Sequence, residues 1–326
     1  MSAETVFLCG GQGSQFFGMG QPLHAEHPVF RAELRALDDV ARELLGRSVV
    51  DAVYGAQRRV TEPLDDLLLS HPAILMVEVA LARTLAAQGI LPSFVVGASL
   101  GELAALVIAG AVSGEDALRA CITQARSLLA RCEEGGMVAI LEDVSAFHRE
   151  AWLHEGMWLA AVNFSRHFVV SGPSWRCEEI DRRCKEKGIL CQRLPVRRAF
   201  HSPMIDAAEG DILRAMEAVP LGRLQVPVYS ATQAGWIGEV SPRYFWQVLR
   251  EPIRFLEALG TVEQLRPGTV VDLSPGGTLG TFLNHHGAGR EGKRLACFPI
   301  MTPFRTDLAA LAKLDAHQRG REASAV

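Results

Sequence analysis

The sequence predicts an α/β protein in which a parallel-sheet unit is interrupted by a smaller module of four strands and two helices. Three observations carry this. Short apolar runs at 6–9 and 94–96 each end in glycine or a small residue and lead into a helical pattern, as buried parallel strands do. Between about 134 and 196 the order changes to strand, helix, strand, strand, helix, strand, the split-βαβ order of a ferredoxin-like module. Apolar runs at 228–230 and 270–273 then resume the first pattern. A chain of 326 residues is longer than one typical domain and suits one large unit carrying an insertion.

In chain order, a strand at 6–9 precedes a charged helical segment at 28–45. A second helix is expected from Pro72, a favoured helix starter, to about 87. The run 94–96 is a strand, 103–112 an apolar helix and 113–132 another helix. Inside the insertion, 137–141 reads as strand, 145–154 as helix, 158–163 with 167–171 as a hairpin, 174–187 as helix and 189–196 as strand. The expected domains are therefore 1–133 with 197–316, and 134–196, with 317–326 a polar tail that frays.

Composition narrows the function classes. Apolar residues make up 48% and charged residues 21%, which fits a globular chain with a sizeable core. A net charge of −4 argues against a general nucleic-acid binder. No apolar run reaches the roughly 18–20 residues of a membrane span, and no leader pattern opens the chain, so a cytoplasmic location is expected. The seven cysteines show no C-x-x-C spacing and read as free thiols, with no metal site.

The most informative local feature is Gly97-Ala98-Ser99-Leu100-Gly101, between a strand and a helix. Glycines let the chain turn sharply enough to lift the Ser99 hydroxyl clear, and the helix start aims N–H groups at it. A serine needs a base and an oxyanion site. Of ten histidines, His201 in Ala199-Phe200-His201-Ser202-Pro203 sits on a strand-to-helix connection, where catalytic groups often lie. His148, His154 and His167 read as surface or turn residues, and His285-His286 as a polar loop. Gly10-Gly11-Gln12-Gly13 follows the first strand without the Lys-Ser/Thr ending of a phosphate loop, so its N–H groups suit an oxyanion better.

With G-Q-G-S-Q, G-x-S-L-G-E and A-F-H-S-P-M in this order, the chain resembles the malonyl-CoA:acyl-carrier-protein transacylase family, which includes the acyltransferase domains of fatty acid and polyketide synthases. Further matching segments are Val228-Tyr229-Ser230, the stretch 246–255 and Asp272-Leu273-Ser274-Pro275-Gly276. The resemblance implies an α/β-hydrolase-like subdomain with a ferredoxin-like insert and the active site in the cleft between them. It makes Ser99 the nucleophile, His201 the general base, and the Gln12 and Leu100 N–H groups the oxyanion hole. It also implies a backbone carbonyl as the histidine's partner, sought around Ser274, with Asp272 a weaker candidate. No cofactor is implied; the acyl group travels on the phosphopantetheine of an acyl carrier protein or on CoA.

Departures from the family pattern bear on the acyl group. Members that select malonyl or methylmalonyl groups hold the free carboxylate with an arginine on the helix after the nucleophile helix; here that position aligns with Gln124. Arg126 is two residues on, but Gln124 and Arg126 flank the stripe Leu118, Cys121, Ile122, Ala125, Leu128 and Leu129 on opposite sides, so only one can face the cleft. Arg126 shares its side with Arg119, which places Gln124 in the pocket. His71 replaces a family glutamine, Ala98 and Arg198 replace histidines, and Phe200 is expected to narrow the pocket beside the base. The resulting expectation is an enzyme for uncharged acyl groups, resembling the stand-alone acyl hydrolases found beside polyketide synthases that lack built-in acyltransferases. Alternatives are a trans-acting acyltransferase and an idle docking subunit. Arg182, Arg183, Lys185 and Lys187, with Arg193, Arg197 and Arg198, form a candidate basic face for an acidic carrier protein.

Overall fold

The computed structural model describes residues 4–55, 57–287 and 295–325. Its strands are β1 (Thr5–Cys9), β2 (Phe94–Gly97), β3 (Gly135–Ile140), β4 (Trp158–Phe164), β5 (His167–Pro173), β6 (Cys191–Arg193), β7 (Val228–Ser230), β8 (Gly235–Trp236), β9 (Thr269–Asp272) and β10 (Cys297–Pro299). The main sheet has the order β10-β9-β1-β2-β7-β8. All its pairings are parallel except that of β8, which folds back against β7. The small sheet has the order β4-β5-β3-β6 and is antiparallel throughout. That is the strand order of a ferredoxin-like module, so the fold is α/β with a ferredoxin-like insertion.

The chain leaves β1 for β2 on one side and returns to β9 on the other. The carboxyl ends of β1, β2 and β9 therefore frame the crevice where open α/β sheets bind ligands. The small sheet closes this crevice through the alternation of its strands. Val138, Ile140, Phe168 and Val170 pack on the helix Ser174–Lys187, while Met137, Ala139 and Val169 point the other way, into the main core.

Several elements differ from expectation. The helix expected at Pro72 begins at Leu67, because Asp66 caps it by accepting the Leu68 N–H at 3.0 Å. Pro72 then lies in the helix interior, where it removes one backbone donor. This helix, Leu67–Ala87, is long and apolar enough to cross a membrane, but its side chains are buried in the core. The helix expected at 145–154 is broken at Glu150 into two short turns, and the strand at 189–196 shrinks to β6. β8 and β10 are edge strands too short to leave a period. The expected fraying tail is instead the end of the helix Asp307–Ala325: Gln318 donates to Thr5 Oγ1 at 3.1 Å, and Arg321 donates to the Gly268 carbonyl at 2.7 Å. Val326 lies outside the described residues. His285 and His286, expected in a loop, end the helix Thr278–His286, with His285 stacked on Phe164 at 5.3 Å.

Candidate active site

Ser99 stands between β2 and the helix Gly101–Ile108 with φ of 54°, a left-handed conformation that a non-glycine residue adopts only under constraint. The constraint is close backbone packing. A Cβ on Gly101 would sit 2.2 Å from the Cys9 carbonyl oxygen, so the helix start and the end of β1 touch main chain to main chain. On the other side, a Cβ on Gly11 would sit 2.8 Å from Ser99 Cβ and 3.2 Å from the Leu100 nitrogen. The glycine loop is thus pressed against the turn that lifts the serine.

His201 also has positive φ, 57°, and is 2% exposed. Its Nε2 lies 3.0 Å from Ser99 Oγ across a sequence separation of 102. Its Nδ1–H donates to the Glu251 carbonyl at 2.7 Å, and its main-chain N–H donates to the Leu249 carbonyl at 3.0 Å. Both acceptors belong to the end of the helix Pro242–Arg250. With the proton held on Nδ1, Nε2 presents a lone pair to the serine hydroxyl, the arrangement that proton abstraction requires. The histidine's partner is therefore Glu251 and not the Ser274 loop. Asp272 is spent elsewhere: it accepts from the Ser274 N–H and Oγ–H at 2.9 and 2.6 Å and from the Gly280 N–H at 2.6 Å.

Among the described residues, neither the Gln12 nor the Leu100 main-chain N–H has a protein acceptor. The Gln12 side chain is clamped instead. Its amide donates to Ser70 Oγ at 3.2 Å, and its carbonyl accepts from His71 Nε2 at 3.2 Å. His71 is buried against Phe200, and burial depresses its pKa to about 3, so it is a neutral donor at ordinary pH.

A cavity of about 250 Å³ opens beside Ser99. Gly11, Gln12 and Ala98 form one wall; Met137, Ala139, Ala161, Val169 and Leu194 of the small subdomain form the opposite one. No Arg, Lys, Asp or Glu is among the described residues lining it. His167, read from sequence as a surface or turn residue, lines this cavity; its Nδ1 accepts from Asn163 Nδ2 at 3.0 Å, and burial lowers its pKa to about 4.

Other expectations need correcting. Arg126 does turn away from the cleft, donating to the Leu44 carbonyl, while Gln124 is buried on the inner side. Yet Gln124 does not line the cavity; its amide lies 3.7 Å from the Met216 sulfur. Arg198 does not line it either. Its guanidinium caps the helix Gly114–Arg131 through the Leu128 and Leu129 carbonyls at 3.3 and 3.4 Å, a use that suits a cation at a helix C-terminus. Most cations of the expected basic face are ion-paired at the surface. Arg182, Arg183 and Lys185 pair with Glu186, Glu179 and Asp181 at 2.6, 2.6 and 2.7 Å, and Arg193 and Arg197 pair with Glu178 and Glu134.

Glu102 is the residue that sequence reasoning left without a role. It is fully buried and accepts from Ser230 Oγ at 2.6 Å, from the Thr232 N–H and Oγ1 at 2.9 and 2.6 Å, and from the Tyr244 hydroxyl. Tyr244 lies on the helix Pro242–Arg250, so Glu102 ties the serine's helix to the helix that holds His201. The available signal was an acid inside an otherwise apolar helix, which must be paired if buried.

The site makes a pH prediction. Burial and the nearby Arg250 charge both lower the His201 pKa, against the opposing bond to Glu251, to about 4. Protonation removes the lone pair, so acylation of the free protein should hold its rate as pH falls through the usual histidine range near 6.5 and decline only towards about 4. A pre-steady-state rate profile from pH 8 to 4 measures this; an inflection at 6–7 would contradict the enclosed, neutral imidazole.

The described geometry agrees with comparisons to known proteins. Residues 6–322 match the family model of the acyl transferase domain. The chain is 36% identical over 311 residues, 95% of each sequence, to the polyketide biosynthesis acyltransferase homolog PksD of Bacillus subtilis (strain 168). It is 38% identical over 315 residues, 97% of each, to the corresponding homolog BaeD of Bacillus velezensis. Among solved structures it resembles the acyltransferase domain from the second module of the salinomycin polyketide synthase, with TM-score 0.83, 29% identity, and coverage of 96% of this chain and 72% of the other. A loading acyltransferase from the avermectin modular polyketide synthase superposes with TM-score 0.84 at 25% identity, covering 95% and 99%. A full-length family match and near-full-length relatives above 30% identity, joined to a serine–histidine couple at the sheet's ligand-binding edge, place this chain in the acyl transferase domain family.

Proposed function

We propose that the chain acts in polyketide biosynthesis on acyl thioesters borne by an acyl carrier protein, through an acyl-Ser99 ester, and that it releases uncharged acyl groups to water. The supporting observation is the 3.0 Å contact between Ser99 and His201 at the edge of a cavity whose described lining carries no charge. In the first step Oγ attacks the thioester carbonyl while its proton passes to His201 Nε2. The oxyanion is received by the Gln12 and Leu100 N–H groups. The tetrahedral species collapses with loss of the thiol, which takes the proton back from Nε2. In the second step water, activated by the same imidazole, attacks the ester and frees the acid.

A malonyl or methylmalonyl carboxylate would have to enter this cavity without a cation to meet it, at a cost of several kcal/mol. Acetyl and butyryl groups carry no such cost. Butyryl-loaded carrier protein is therefore expected to be turned over at least ~10-fold faster than malonyl-loaded carrier, since about 1.4 kcal/mol already gives that factor. Mass spectrometry of the protein after mixing with each carrier, with and without a second empty carrier, measures it. Selective malonylation of Ser99 would sink the uncharged-acyl reading.

The names of the Bacillus relatives favour a second reading, transfer of the acyl group to another carrier thiol. The same experiment separates the two: free acid without an acceptor marks hydrolysis, and label on the second carrier marks transfer. Absence of any acyl-enzyme would leave a docking role.

A further inference from the structure

We propose that Glu78 is a positioning residue for acyl transfer to Ser99, its carboxyl holding the Gly10 main-chain N–H and thereby setting the glycine loop against the serine. The inference rests on the acyl-Ser99 reading above and deepens it.

Glu78 lies in the middle of the helix Leu67–Ala87, among apolar side chains, with no exposure. Its Oε1 accepts the Gly10 N–H at 2.7 Å. Its Oε2 is buried and, among the described residues, has no partner. Such a group is costly to bury, and an apolar side chain of similar size would fill the space without that cost. What the apolar side chain could not do is accept the N–H at the point where β1 ends and the loop begins. The carboxyl is held towards its neutral form, by burial first and by the second buried acid, Asp272. A neutral carboxyl keeps a carbonyl oxygen, so the bond to Gly10 survives in that form.

The loop's other anchors converge, and within the loop itself Ser14 Oγ donates to the Gly11 carbonyl at 2.8 Å. Cys9, just before it, gives its carbonyl to the Ala98 N–H at 3.0 Å. Gly11 touches Ser99 directly, as the near-clash of an added Cβ shows. The Gln12 side chain is gripped by Ser70 and His71 of the same helix that carries Glu78. One helix therefore sets both ends of the segment 10–12, whose middle lies on the nucleophile. Removing the Gly10 anchor frees the segment to drift by a fraction of an ångström at the place where the Gln12 N–H must meet an oxyanion. A complete loss of one such donor costs about 10²–10³ in rate, so a displaced donor should cost less.

The test compares the full chain with Glu78→Leu and Glu78→Gln. Glutamine keeps the accepting oxygen; leucine keeps the bulk alone. Acylation by a butyryl thioester is followed by rapid quench, with sites counted by a serine-directed fluorophosphonate. Glu78→Leu should lower kcat per titrated site about 10–100-fold with KM changed less than about twofold, while Glu78→Gln stays within about threefold of the parent. A purely structural role would lower the melting temperature and the count of sites but leave kcat per site unchanged, and that result overturns the proposal. So does a Glu78→Gln variant as slow as Glu78→Leu. If Glu78→Leu does not fold, Glu78→Met is judged by the same criteria. Ser99→Ala is run alongside. If it loses the acyl-enzyme while Glu78→Leu acylates normally, only the positioning role fails. If Ser99→Ala still turns over thioester, the acyl-Ser99 reading fails and the proposal with it.

Discussion

Ser99→Ala is expected to leave a folded protein that forms no acyl-enzyme and turns over thioesters about 10⁴-fold more slowly or worse. The magnitude follows from the chemistry. On the proposed mechanism the hydroxyl is the atom that bonds to the acyl carbon, and among the described residues the imidazole hydrogen-bonds only with this hydroxyl, at 3.0 Å, and with the Glu251 carbonyl. Serine to alanine removes one oxygen from a half-exposed position, so the fold should be undisturbed and the positive φ at 99 should persist. Intact-protein mass spectrometry reads the acyl adduct directly. A persistent adduct in this variant would move the nucleophile elsewhere and dissolve the assignment of His201 with it.

The second large effect is on folding. Gly101→Ala would place a Cβ 2.2 Å from the Cys9 oxygen, 2.3 Å from its carbon and 2.6 Å from the Gly10 nitrogen. All three are main-chain atoms of the central strand and its loop, which no side-chain rotamer can move aside. The expected outcome is a loss of about 3–5 kcal/mol or failure to accumulate as folded protein. The control is Gly260→Ala in the helix Phe255–Leu265, where nothing lies within 4 Å of the added carbon. There the same substitution should stabilise by about 0.5–1 kcal/mol through helix propensity. Thermal unfolding of both variants decides; a Gly101→Ala protein melting with the parent would mean that the turn is not packed as described.

Much of this was legible in the order of residues because it was local. Short apolar runs marked β1, β2 and β9, and the change of element order between 134 and 196 marked the insertion. The turn at Ser99 announced itself because tight strand-to-helix turns admit few residue types. The pairing with His201 was reachable only through resemblance, since nothing in 102 positions of separation encodes it. Partners supplied by main chain carry no residue signature at all, which is why Glu251 was missed and the Ser274 loop was favoured. Arg198 and Gln124 were misplaced for a related reason. Alignment puts a residue on a face of a helix, but whether its tip reaches a cavity depends on neighbours from distant segments, here the Leu128 and Leu129 carbonyls and Met216. Buried acids such as Glu102 show in sequence as violations of an apolar pattern, and their purpose shows only when the acceptor meets its donors.

One consequence of the Glu251 contact concerns how this protein can change over time. The oxygen that orients the imidazole belongs to the polypeptide itself, and the side chain at 251 points to solvent. Codon drift at that position can alter surface charge freely without deleting the acceptor. Losing this acceptor takes a shift in the register of the chain there, such as an insertion or a deletion in the preceding helix. The component of the couple that looks least specified in a gene is thus the one best shielded from point mutation.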